Sequence, residues 1–201
     1  MSLRDRKRAR TRQALVDAAV ELFELNGYEA TTVADIAAAA EIGTRTFFSY
    51  FAGKEEVLFP ESDRRVQIAV GAIAGRAPGE RPAEVLLRAL REAGAESDDM
   101  TGRLAALRTR LIQEVPVVRG RSLQLQLDSQ REIARHLHAA YPEELDAVSA
   151  AALVGAFVGA ITGALVALME EPGRGDDPAA TREALQRATD VALQPWAGHA
   201  R

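Results

Sequence analysis

Six basic side chains, Arg4, Arg6, Lys7, Arg8, Arg10 and Arg12, crowd the first twelve residues, with Asp5 as their one acidic neighbour, a local balance of +5. A run of this kind either fans out as a solvated tail or holds phosphate oxygens by charge. Over all 201 residues the formal net charge is -4, which taken alone opposes contact with a polyanion. Position resolves the conflict. Residues 1–54 hold eight basic and seven acidic side chains, a net of +1, and the acidic surplus belongs to the rest of the chain.

Bond-making chemistry finds little material here. His136 and His138 lie two apart, a spacing that sends them to different faces of a helix, so they do not share one ion as an i,i+4 pair would. There is no cysteine, which excludes disulfides and thiolate zinc sites. No glycine-rich phosphate loop follows a strand, and no paired carboxylates can be placed. We therefore expect no enzyme, no metal and no cofactor. Asp17 and Glu21 interrupt what would have to be the apolar part of a secretory signal, so the cytoplasm is the expected location.

The elements that position these residues all read as helices. Leu15, Ala18, Ala19, Leu22 and Phe23 recur at helical spacing, and Asn26-Gly27 stops that helix. Thr32 can cap a second, short helix, with Asp35 three residues on. Glu41-Ile42-Gly43 links it to a third, Arg45 to Phe51, and a fourth is expected to start at Lys54. Breakers then mark helices at about 83–96, 101–114, 119–140, 143–170 and 179–195. No segment alternates in the manner of a strand. The expected fold is all-α, with about nine helices.

One stretch needs its own account. From Ala147 to Met169 no residue is charged, and Gly155, Gly159 and Gly163 fall every four residues beside Ala151. The length would span a bilayer, and a small membrane protein is the alternative reading. Acidic flanks at Glu143, Glu144, Asp146, Glu170 and Glu171 argue against that, and we expect no membrane contact. The expected role is a soluble helix buried on nearly all sides, one face within the chain and the other against a second copy, with Ala151, Gly155, Gly159 and Gly163 at the close approach.

Two short helices joined by a brief link after a longer first helix have the spacing of a helix-turn-helix. The residue types sharpen this. The segment from Thr31 through Ile36, Ala37, Gly43, Thr44, Arg45, Thr46, Phe47, Phe48, Ser49, Tyr50 and Phe51 to Lys54-Glu55 resembles the N-terminal domain of the TetR family of bacterial transcriptional repressors. Ala18, Leu22, Phe23 and Gly27 fit the same pattern, and the resemblance covers about residues 10–58. It implies a DNA-binding domain over 1–54 and an effector-binding and dimerisation domain over 55–201.

By that resemblance Ile36, Ala37, Ala40, Ile42, Phe47 and Phe51 form the small core. Gly43, Thr44, Arg45, Thr46, Phe48 and Ser49 belong to the recognition segment. Arg45 is the leading base-reader, because a guanidinium bonds guanine O6 and N7 together. Thr32, Tyr50 and Lys54 are expected at phosphates, and Arg4, Arg6, Lys7, Arg8, Arg10 and Arg12 along the duplex backbone. The chain departs from the family pattern at three places: Arg45 stands where glycine is usual, Phe48 where tyrosine is usual, and Glu41 where glycine is common in the turn.

The resemblance further implies a repressor released from a palindromic operator by a small effector. The last two helices of each of two chains would form the dimer interface. Leu104, Leu107, Arg108 and Leu111 on one helix, and Leu127 and Gln130 on the next, are the candidate effector contacts. A cavity lined by Leu and Ala, with few aromatics, would suit a lipophilic effector.

Overall fold

The first helix, α1 (Leu3–Asn26), opens with a reciprocal cap: the Ser2 hydroxyl accepts from the Asp5 amide at 3.1 Å, and the Asp5 carboxylate accepts from the Ser2 amide at 3.0 Å. It closes at Gly27, whose φ of 83° is left-handed. The basic run is therefore helical from Leu3 onward, three ordered turns in place of a frayed tail. The structure is a computed structural model and describes residues 2–96, 102–170 and 177–197. The expected links around Ser97-Asp98-Asp99 and from Pro172 lie outside the described residues.

After α1 come α2 (Val33–Ala39), α3 (Thr44–Phe47), a 3₁₀ turn at Lys54–Leu58, α4 (Ser62–Ala74), α5 (Pro82–Glu96) and α6 (Arg103–Glu114). Then follow α7 (Pro116–Ala140), α8 (Ala147–Glu170) and α9 (Pro178–Ala197). No strand occurs among the described residues. The fold is all-α, as expected.

Local chemistry explains where boundaries differ from expectation. Helix four does not start at Lys54. Phe59 takes φ -125°, ψ 48° ahead of Pro60, which has no N–H and disfavours helix in the residue before it. The chain thus makes a 3₁₀ turn and restarts at Ser62. The third helix keeps regular geometry only to Phe47. Ser49 and Tyr50 then bond back three residues, to the Thr46 and Phe47 carbonyls at 3.0 and 2.9 Å. Gly43 supplies no side-chain cap, and threonine and aromatic residues are middling helix formers. The helix expected from about 119 starts earlier, because α7 takes Pro116 into its first turn and runs on through Gly120.

The chain divides into two compact units, Met1–Pro60 with Leu111–Arg121, and Glu61–Arg110 with Ser122–Arg201. In the first, here called the head, α1 packs on α2 and on the 3₁₀ turn, and α2 packs on α3. Leu15, Phe23, Ile36, Phe47 and Val57 are its buried centre, while Ala40 and Ile42 are half-buried. In the second, α8 packs on α9, α4 on α5, and α5 on both α8 and α9. Ile73, Val85, Leu86, Leu137, Leu153, Val154, Phe157, Leu185 and Leu193 form its core.

Candidate nucleic-acid interface

The head's geometry begins at the turn between α2 and α3. The Ile42 amide donates to the Ala37 carbonyl at 2.9 Å and the Glu41 amide to the Ala38 carbonyl at 3.0 Å. These two bonds end a helix in a Schellman motif, which demands a left-handed residue between them. Glu41 fills that place with φ 56°. The turn therefore keeps the geometry that glycine ordinarily provides, at the expense of a strained non-glycine residue. At the other end of α2, Thr32 Oγ1 accepts from the Asp35 amide and donates to the Asp35 carboxylate at 2.6 Å. These bonds hold the Asp35 carboxyl below its ordinary range.

Two of the basic residues expected at phosphate serve the head itself. Arg12 donates to the carbonyls of Tyr50 at 3.2 Å and Pro60 at 3.0 Å, and its guanidinium lies 4.4 Å from the Phe51 ring centre. The Lys54 ammonium donates to the Tyr28 carbonyl at 2.7 Å and the Thr31 carbonyl at 3.0 Å, and sits 4.2 Å from the Tyr28 ring centre. Thr31 is buried and donates to the Gly27 carbonyl at 2.9 Å. Both cations thus bind together the segments that flank α2 and α3. Two of the three ammonium donors of Lys54 are spent in this way. Sequence spacing could not reveal it, because the accepting carbonyls lie 23 to 48 residues away.

What faces outward is different in kind. Gly43, Thr44, Arg45, Thr46, Phe48 and Ser49 are exposed, Tyr50 is half-buried, and Phe47 between them is fully buried. The Ser49 hydroxyl turns back to the Thr46 carbonyl at 2.6 Å. Arg4, Arg6, Lys7, Arg8 and Arg10 are exposed on the first turns of α1, and the Arg8 guanidinium lies 5.7 Å from the Tyr50 ring centre. Arg4, Arg8 and Arg12 recur every four residues, so one stripe of α1 runs toward Tyr50 and Phe51. The head thus presents hydroxyls, a guanidinium and an aromatic ring, beside a cationic helix.

In the second unit Leu107 and Arg108 are buried, and Leu104 and Gln130 are half-buried. Leu111, also buried, groups with the first unit. Leu127 is 47% exposed, and Leu123 one turn before it on α7 is 59% exposed. Burial pushes the Arg108 guanidinium down to about 10. Burial, and then the like charge of Arg108, push Arg65 on α4 down to about 9, with Glu61 opposing. A cleft of about 520 Å³ opens between the α4–α5 and α7–α8 links, lined by Arg76, Glu80, Tyr141, Glu143 and Glu144 among others. None of the expected effector residues line it.

Within its own chain α8 buries one face and leaves the other open. Its apolar window, Ala147–Leu168, has a mean hydropathy of 2.2 and a length sufficient to cross a membrane, yet only 22% of it is buried within the chain. Ala151, Gly159 and Gly163 are exposed and Gly155 is half-buried. A Cβ added at any of the three glycines meets nothing within 4 Å. Val148 and Val166 on α8, and Val191 and Trp196 on α9, are exposed as well.

Comparison with known proteins agrees with this geometry. Residues 15–59 match the family model described as bacterial regulatory proteins, tetR family. The HTH-type transcriptional regulator TcmR of Streptomyces glaucescens is 34% identical over 149 residues. That alignment covers 72% of this chain and 66% of TcmR, so the chain spans just under two thirds of that relative. The TetR-family repressor FadR of Thermus thermophilus, solved in complex with lauroyl-CoA, is similar at 25% identity with a TM-score of 0.53. The match covers 94% of this chain and 96% of FadR. A regulator structure from Syntrophomonas wolfei shares the fold, with a TM-score of 0.62 at 18% identity, over 92% of this chain and 96% of that one.

Proposed function

Because the chain belongs to the TetR family of bacterial regulatory proteins, we propose that it is a cytoplasmic transcriptional repressor that binds a palindromic DNA operator as a homodimer. The observation that carries this reading is the exposed face of α3. Arg12 and Lys54 are occupied inside the head, while Arg45, Thr44 and Thr46 stand clear of it. Arg45 then reads guanine in the major groove, and the exposed cations of α1 hold phosphate without reading sequence. Thr32 and Tyr50, and Lys54 through its remaining donor, are backbone contacts in this reading.

The dimer in this reading forms through α8 and α9. Small residues at Ala151, Gly155, Gly159 and Gly163 let two copies of α8 approach closely, and the exposed valines beside them gain burial. This pairing also explains a helix of such hydropathy that is so little buried by its own chain.

The effector in this reading is a lipophilic molecule with a negatively charged end, bound in the second unit near Leu104, Leu107, Arg108 and Gln130. Arg108, a buried cation on α6, and Arg65, a half-buried one on α4 whose guanidinium is pushed down in part by the charge of Arg108, support it. So does the acyl-CoA held by the Thermus thermophilus relative. A thermal-shift series with lauroyl-CoA and free fatty acids tests it: a rise in Tm is expected, and no response to any of them counts against this part.

The DNA reading is tested by fluorescence anisotropy on a duplex that the full chain selects from a randomised library. Arg45→Ala is expected to lose about 1–3 kcal/mol of specific binding, roughly 5- to 150-fold in Kd, with binding to random duplex retained. If Arg45→Ala bound the selected duplex as tightly as the wild type, the base-reading assignment would be wrong.

A further inference from the structure

Phe48 breaks the pattern of the exposed head. It is 55% exposed, while Phe23, Tyr28, Phe47, Phe51 and Phe59 in the same unit are all buried. Its ring is not loose: it meets the buried Phe47 edge-on, with centroids 5.5 Å apart and an interplanar angle of 83°. The backbone carries helical bonds from Phe48 to Thr44 at 3.3 Å and from Phe51 to Phe47 at 3.1 Å. Phe48 therefore stands on the same face as Thr44 and Arg45, four and three residues behind it. A phenyl ring has no hydroxyl to give a phosphate. What it can recognise in a duplex is apolar surface, and the major groove offers one such group among the four bases, the thymine C5-methyl.

On the reading that this chain binds DNA through α3, we propose that Phe48 is a specificity-determining residue that reads the C5-methyl of a thymine lying beside the guanine read by Arg45. The spacing fits. Residues three apart on a helix lie about 5–6 Å from one another, and successive base pairs rise about 3.4 Å, so the two side chains reach adjacent or next-adjacent pairs. Arg45 then supplies the polar half of a two-base word, and Phe48 the apolar half. The anchored ring pays little rotamer entropy on contact, because Phe47 already holds it.

The test uses the full chain and a duplex it selects from a randomised library, resynthesised with deoxyuridine in place of each thymine in turn. Uracil lacks only the methyl. One thymine per half-site, within two base pairs of an invariant guanine, is expected to weaken wild-type binding about fourfold when replaced, the worth of one buried methyl. Phe48→Ala is expected to bind the thymine and uracil duplexes equally. The wild-type comparison needs no variant, so it holds even if Phe48→Ala folds poorly. Should no thymine prove sensitive to its methyl, or should Phe48→Ala still prefer thymine, the proposal is overturned while operator binding stands. Failure to enrich any duplex would instead overturn the DNA-binding reading on which it rests.

Discussion

Around α3 the head exposes Thr44, Arg45, Thr46, Phe48 and Ser49, whereas α8 exposes Ala151, Gly159, Gly163 and Val166. Both surfaces are open, but they are made of opposite materials. The first carries donors, acceptors and charge on side chains that stay well solvated while alone. The second carries side chains of almost no volume on a helix whose hydropathy is that of a buried segment. Hydrogen-bonding groups in a fixed constellation suit a partner with a patterned polar edge, such as a DNA groove. A glycine stripe suits a partner that must come within backbone distance, and the same stripe on a second copy is the simplest one. An exposed surface is thus informative through what it lacks as well as what it holds.

The largest effect is expected where the second surface is filled. Gly159→Leu adds a side chain at a position where a Cβ meets nothing within 4 Å, so the single chain should fold as before. Helix propensity even favours leucine over glycine by roughly 0.8 kcal/mol. Between two copies of α8 in the proposed dimer the same side chain would overpack the close approach. Overpacking of this kind costs up to about 3 kcal/mol, so the dimer constant should weaken about a hundredfold. Sedimentation equilibrium of wild type and variant decides it, and an unchanged dimer would remove α8 from the interface.

Next comes a contrast within the head. Lys54→Met keeps the aliphatic stem and removes the ammonium, leaving the Tyr28 and Thr31 carbonyls without their charged donor. A loss of about 3 kcal/mol in head stability is expected from chemical denaturation. Arg45→Ala should change stability by less than about 0.5 kcal/mol, because Arg45 is an exposed side chain. Two cations nine residues apart then separate by their effect on folding: Lys54 holds the head together, and Arg45 leaves its stability unchanged. Equal stability of the two variants would undo that separation.

That contrast also marks how far the sequence could be read. Helix periodicity and breakers located every long helix, because Gly27, Pro82, Pro116 and Tyr141-Pro142 act locally. The Thr32–Asp35 cap was legible for the same reason. The internal roles of Arg12 and Lys54 were not, since a basic side chain reads alike whether its acceptor is a phosphate or a distant carbonyl. The restart of helix four at Ser62 was missed although Pro60 signalled it: acidic residues at Glu55 and Glu56 suit a helix start equally well. The apolar stripe of α7 is open at Leu123 and Leu127, which are 59% and 47% exposed. Apolar periodicity reports that a face wants burial, and it is silent on which chain provides it.

A smaller effect tests the turn that aims the reading face. Glu41 holds φ 56° where glycine would be unstrained. Left-handed backbone costs an ordinary residue about 1–2 kcal/mol, partly offset here because glycine loses more entropy on folding. Glu41→Gly is therefore expected to stabilise the head by about 0.5 kcal/mol and to leave operator affinity unchanged. A destabilised variant would mean that the glutamate side chain contributes something the turn geometry does not account for.

The smallest effect concerns the cap that starts α2. The Asp35 carboxyl is held below its ordinary value of 3.8 by its bonds with Thr32. A carboxyl with a depressed folded-state pKa contributes stability above the unfolded value, and that contribution fades as pH falls through the lower, folded value. The unfolded chain takes up the proton first. Asp35→Asn removes the charged acceptor, so the variant should be less stable than wild type near neutral pH. The two should converge as both are acidified past that range. Urea midpoints measured across the acid limb report this directly. A difference that stayed constant with pH would place the effect in the packing of residue 35 and not in its ionised cap. Asp5 has the same arrangement with Ser2 at the start of α1. Its helix turn is exposed on all sides, so there the cap orders cationic residues where α2's cap orders the helix against which α3 is packed.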